Sequence, residues 1–148
     1  MTTSDTIALS PADMKALVRR HIEEGFNHGD WNVCQTTLAD DYAARYGAEG
    51  KANVGRDHYV MVCKMLRKSF PNVAITIEDL VAEGDKVVNR YIERGTLTGR
   101  AFLGIEPAGQ RYVKPGTTIY RVADGRLAES WGVEDTLGWF RQLGKYTE

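Results

Sequence analysis

Between Ser10 and Phe70 apolar residues recur every three or four positions, and from Val73 onward they recur mainly every second one. The first period belongs to amphipathic helices, the second to strands with one buried face. Ser10-Pro11-Ala12-Asp13 predicts a helix start, with a Ser cap, Pro in the first turn and an acid near the positive end of the dipole. Met14, Leu17, Val18, His21, Ile22, Gly25 and Phe26 then make one stripe, so a single helix is expected to reach Asn27-His28-Gly29. Asp30 suits the cap of a second, shorter helix carrying Trp31, Val33, Cys34 and Leu38. Turn formers crowd residues 39–55, which read as a loop around Tyr42, Arg45 and Tyr46. A third helix is predicted over Arg56 to Ser69, with Tyr59, Val62, Cys63, Leu66 and Phe70 on its stripe and Pro71 stopping it.

Val73, Ile75 and Ile77 open a strand that continues towards Val81, and Glu83-Gly84-Asp85 turns the chain. Lys86 to Thr98 predicts a longer strand, with Val87, Asn89, Tyr91 and Glu93 on one face. Residues 99–110 form a loop with an apolar tip at Phe102-Leu103-Gly104-Ile105. Arg111 to Val122 is a third long strand, and Ala123-Asp124-Gly125 returns it into Arg126 to Val133. As a three-residue turn with Gly125 left-handed, this loop sets Val122 opposite Arg126. Thr118, Tyr120, Val122, Ala128, Ser130 and Gly132 then share one face; Ile119, Arg121, Leu127, Glu129 and Trp131 take the other. Asp135 caps a last helix, Thr136 to Leu143, closed by Gly144.

Helices first and antiparallel strands after predict an α+β fold, three N-terminal helices packed on a curved, mostly antiparallel sheet with a short C-terminal helix. Residues 1–10 read as a flexible tail and 11–148 as one domain. The 148 residues (16.5 kDa) and a net charge of -1 fit a soluble domain of ordinary composition and argue against nucleic acid as a partner. No apolar run is long enough to span a bilayer, and the first ten residues lack the pattern of a signal peptide. With only Cys34 and Cys63 present, a reducing cytoplasm is the expected compartment.

Several chemistries lack their motifs. There is no phosphate-binding glycine loop, no zinc spacing among His21, His28 and His58, and no nucleophile elbow around Ser130. A pocket lined by aromatics with a few polar groups is the expected site.

The stretches Ser69-Phe70-Pro71-Asn72, Ile77 to Asp85, Gly95 to Gly99, Phe102 to Gly109, Tyr120 to Trp131 and Arg141 to Gly144 carry a resemblance. With Gly25 to Asp30 and Leu38 to Tyr42, they make nearly all of 11–144 resemble the SnoaL-like polyketide cyclase and ester cyclase group of the nuclear-transport-factor-2-like fold. The resemblance implies a cone of helices set into a curved sheet around an apolar pocket, and a homodimer through the sheet's outer face. It also implies a cofactor-independent cyclase, isomerase or lyase of secondary metabolism, as in antibiotic biosynthesis, acting on a hydrophobic small molecule. The family's ring-closing members use an Asp on the last strand and a His on the strand before it. At those positions this chain has Gly132 and Thr118.

Candidates to replace that pair follow from residue chemistry. Asp135 is the nearest acid, as a general acid/base or simply as the helix cap. Glu93 in mid-strand must be paired or face a cavity. Tyr46, Tyr91 and Tyr120 offer phenols to a substrate carbonyl or serve as core aromatics. His58 is either a proton carrier or a helix-surface residue. Asp135, Glu93, Tyr91 and His58 are therefore the expected catalytic set. Tyr46, Arg45, Met65, Thr118, Tyr120, Ser130 and Gly132 are the expected substrate wall. Glu134 reads as a solvated rim residue. Without the family's dyad, a non-catalytic dimeric module that binds a hydrophobic small molecule is the alternative.

Overall fold

A computed structural model describes residues 8–47 and 50–146. The greater part of the expected tail, residues 1–7, lies outside the described residues. Ser10 accepts from Asp13 N as the cap of α1 (Pro11–Arg20). The stripe then continues, but as a π-helix over His21–Asn27 rather than as one uniform α-helix. Its end is tied to the sheet: Asn27 Nδ2 donates to Ile75 O and Ile75 N donates to Asn27 Oδ1, both at 2.8 Å. Two hydrogen bonds to one backbone unit fix where this helix meets the strand. α2 (Trp31–Thr37) is capped by Asp30, and α3 (Arg56–Ser69) has the predicted bounds.

The described residues of the expected loop over 39–55 are mostly strand. They form β1 (Leu38–Tyr46) and β2 (Lys51–Val54), antiparallel to each other through Ala43↔Val54 to Tyr46↔Lys51. The remaining strands are β3 (Ala74–Glu83), β4 (Lys86–Leu97), β5 (Gln110–Ala123) and β6 (Arg126–Glu134). One six-stranded sheet results, in the order β2-β1-β6-β5-β4-β3. β1 runs parallel to β6, so the sheet is mixed although every other pairing is antiparallel. The β1 pairing is chosen by a strand some ninety positions away, which local turn propensity does not register. α4 (Thr136–Leu143) closes the fold.

The β5–β6 turn also differs from the expected one. Ala123 faces Arg126, and Asp124 (φ 52°) and Gly125 (φ 74°) make a two-residue left-handed turn. A bulge follows between Arg121 and Val122, so Val122 faces Leu127 while Arg121 faces Glu129. Leu127 is thereby fully buried, on the face opposite to the expected one. The bulge restores the original parity beyond it, so Thr118, Tyr120, Ser130 and Gly132 share the inner face as expected.

Two apolar clusters fill the concave side. Val18, Ile22, Leu38, Tyr42, Val87, Tyr120 and Leu127 pack at one end. Phe26, Phe70, Leu97, Tyr112, Trp139 and Leu143 pack at the other.

Candidate active site

The strand register lays inward-facing residues out in rows across the sheet. One row reads Asn89 (β4), Thr118 (β5), Gly132 (β6) and Tyr46 (β1). The next, two residues along each strand and about 7 Å away, reads Tyr91, Gly116 and Glu134. The third pairs Glu93 with Lys114. Between these rows and the helices lies a cavity of about 580 Å³, within the usual range for small-molecule sites. Ile22, Phe26, Tyr42, Tyr59, Phe102 and Trp139 give it an aromatic, apolar wall. Met65, Lys68, Arg100 and Leu103, all exposed, stand on its open side.

The charged rows form one connected group. Lys114 Nζ lies 3.2 Å from Glu93 Oε1 and 3.1 Å from Glu134 Oε2. The phenol of Tyr112 donates to Glu93 Oε1 at 2.6 Å, and that of Tyr91 to Glu134 Oε2 at 3.3 Å. The ammonium of Lys114, only 3 % exposed, also sits 3.8 Å from the centroid of the Trp139 ring. An ammonium taken out of water is tolerated where carboxylates and an aromatic face replace its hydration, and all three are in place here.

Two glycines make this geometry available. Tyr91 lies across Gly116, where a Cβ would meet the phenol oxygen at 2.5 Å; Tyr112 lies across Gly95, where a Cβ would meet the ring at 2.8 Å. Tyr91 thus crosses β5 where it carries no side chain and reaches Glu134 on β6, and Tyr112 lies over β4 at Gly95 and reaches Glu93 two residues along that strand. Burial, together with the neighbouring glutamates, holds both phenols far above their ordinary pKa, so both remain donors. Burial likewise pushes the Cys63 thiol up to about 12. It is a neutral wall group.

Of the expected site residues, Glu93, Tyr91, Tyr46, Met65, Thr118, Tyr120, Ser130 and Gly132 line the cavity. Ser130 Oγ is already engaged with the Tyr42 phenol at 2.6 Å. Three expected residues stand elsewhere. Asp135 is exposed, and its Oδ1 accepts from Gly138 N at 2.9 Å as the cap of α4. His58 lies exposed on α3 with Nε2 3.3 Å from Asn53 Oδ1. Arg45 points out from the other face of the sheet, where Glu129 bridges it to Arg121 at 2.8 and 3.0 Å. Strand alternation explains that last case, since Tyr46 faces inward and its neighbour must face out.

Glu134 is no solvated rim residue: Lys114 and Tyr91 hold it, with its side chain 25 % exposed. It and Lys114 were legible by parity, because Lys114 shares a face with Thr118 and Glu134 shares one with Gly132. Asn89 also lines the cavity, 1 % exposed. Among the described residues no cluster of three His, Cys, Asp or Glu side chains is placed to hold a metal.

Comparison with known proteins agrees with this architecture. The family model for SnoaL-like polyketide cyclase matches residues 16–143. The chain belongs to that family. Its fold is the nuclear-transport-factor-2-like one. It is 28 % identical to TsrD from Streptomyces laurentii, with a TM-score of 0.81 over 94 % of this chain and 100 % of that one. It is 29 % identical to IdmH from Streptomyces antibioticus, a candidate polyketide cyclase, with a TM-score of 0.75 over 92 % and 99 %. AclR from Streptomyces galilaeus, a candidate hydroxylase, is 26 % identical, with a TM-score of 0.82 over 94 % and 85 %. No curated protein matches the chain. Family and neighbours support a cyclase or isomerase role, and no helix of the described residues is long and apolar enough to cross a membrane.

Proposed function

We propose that this SnoaL-like protein is an acid–base enzyme acting on a bulky, mostly apolar polyketide-like molecule, with the Glu93–Lys114–Glu134 group in place of the family's Asp and His. The observation that carries the reading is the buried ammonium held between two carboxylates on the wall of a mainly apolar cavity. A pocket that only stores an apolar ligand gains nothing from burying three charges. Of the two carboxylates, Glu134 is the proton carrier: it is the more exposed, and it stands two residues along the same face of β6 from Gly132. Glu93, closed in by Tyr112 and Lys114, positions the ammonium.

In the step proposed, Glu134 takes a proton from a carbon flanked by two carbonyls. Lys114 and Tyr91 offset the negative charge that develops on the enolate oxygen. The enolate carbon adds to a third carbonyl elsewhere in the same molecule. A C–C bond forms as the C=O π bond breaks, and the new alkoxide recovers the proton from Glu134. The product has the mass of the substrate, or is one water lighter after dehydration.

Incubation with a panel of aromatic polyketide β-ketoesters tests this, with product mass and retention followed by chromatography. Glu134→Gln should lower turnover by about 10²- to 10⁴-fold, the usual worth of a positioned acid/base. Unchanged turnover in that variant removes Glu134 from the mechanism. Binding without conversion across the panel supports the non-catalytic module instead. The proposal includes a homodimer through the outer face of the sheet, where Val113, Ile119 and Val133 stand exposed; the mass of the particle in solution checks it.

A further inference from the structure

Among the described residues, several buried side chains carry a polar atom with no hydrogen-bond partner, but Asn89 alone carries both a donor and an acceptor in that condition. Folded proteins rarely bury an amide with both ends unmatched, because each end has lost water and gained nothing. His21, Arg56 and Arg67, which also carry an unmatched nitrogen, do not line the cavity; Asn89 and the Trp139 indole do. That cavity gives a ligand access to the unmatched Asn89 amide.

The neighbours of Asn89 in the sheet face the same cavity. Asn89 heads the row whose next inward members are Thr118 and Gly132. A Cβ added at Gly132 would meet only ordinary contacts, 3.5 Å to Thr118 Oγ1 and 3.6 Å to the Tyr46 ring. This floor is small and uncharged beside a side chain that offers N–H and C=O together. We infer that Asn89 is the specificity residue of the pocket and that it reads an amide edge, a primary carboxamide or lactam, on a flat apolar ligand. Two amides meet edge to edge through a pair of N–H···O bonds, satisfying both unmatched atoms at once. An enolised β-dicarbonyl is the poorer match, because its O–H is already bonded to its own carbonyl.

The inference rests on the cavity being the ligand site but not on turnover, so binding tests it independently of the proposed reaction. The probes are 3-hydroxy-2-naphthamide, its N,N-dimethylamide, which keeps the acceptor and loses the donor, and the methyl ester of the same acid. Titration calorimetry with the wild-type protein should show the primary amide binding at least about tenfold more tightly than either analogue. Asn89→Asp keeps an acceptor for the primary amide's N–H and loses the donor that the carbonyls of the two analogues need, so it should widen the gap between the primary amide and both. Asn89→Leu should bind all three alike. Equal binding of the three probes by the wild type overturns the inference, as does a preference that survives in Asn89→Leu. So does a crystal structure of the soaked complex in which only water meets the Asn89 amide. The wild-type comparison stands even where a variant fails to fold.

Discussion

The two ends of this cavity are built in opposite ways. Towards α4, Glu93, Lys114, Glu134, Tyr91 and Tyr112 all find partners within the protein, and the site is organised before any ligand arrives. One row away, Asn89, Thr118 and Gly132 present a small neutral floor with an unmatched amide. Groups that complete one another preorganise chemistry, whereas a group left incomplete marks where a ligand must contribute. The family's acid–base pair belongs at the neutral end. In this chain the charge stands one and two rows further along.

The strongest way to break the contrast is to remove the ammonium. Lys114→Met leaves Glu93 and Glu134 facing each other without their shared cation and should destabilise the fold by about 3–5 kcal/mol, read by urea denaturation. A loss below about 1 kcal/mol would mean that the charged end is not a single unit.

The neutral end has its own sensitivity, to acid. His21 packs between Tyr59 and Tyr120, and burial lowers its pKa to about 4. The unfolded chain takes up that proton near pH 6.5, so stability falls as the pH drops below about 6.5 and the loss is complete near pH 4. The difference is worth about 3 kcal/mol. Denaturation of wild type and His21→Gln at pH 7 and 4.5 checks it: the variant should lose less stability between the two. Equal losses would place the acid sensitivity in other groups.

Moving a phenol sharpens the comparison further. Gly116→Ala puts a methyl group where Tyr91 lies and should cost about 1–3 kcal/mol, pushing the phenol off Glu134. Gly132→Ala meets only ordinary contacts and should leave stability nearly unchanged. Similar melting temperatures for these two variants would mean that the Tyr91 cradle is slack. The smallest effect belongs to Asp135→Asn. Asn also caps a helix, and the side chain stands outside the cavity, so turnover should change less than about twofold. A large loss would return Asp135 to the mechanism.

What the sequence reveals here is what short-range chemistry determines. Ser10, Asp30 and Asp135 announce helix starts because a cap acts over three residues, and the alternation from Val87 to Glu93 marks a strand face unaided. The inner positions Thr118, Tyr120, Ser130 and Gly132 follow from the same alternation, although the turn beside them was misjudged by one residue and set right by the bulge. β1 was illegible because its strand character comes from the distant β6. Arg45 was lost with it, since a residue read as loop has no face. Lys114 and Glu134 escaped for a different reason. Parity puts both on the inner face, but each reads alone as a solvated charge until the register of β4, β5 and β6 brings them together with Glu93.

In the reaction proposed, Glu134 carries the proton. Solvent-deuterium exchange at the α-carbon of an aromatic β-ketoester tests it directly, because exchange needs proton abstraction and no ring closure. The wild-type protein should speed exchange well above the buffer rate, and Glu134→Gln, equally folded, should return it to that rate. Exchange catalysed as fast by Glu134→Gln as by the wild type would contradict it.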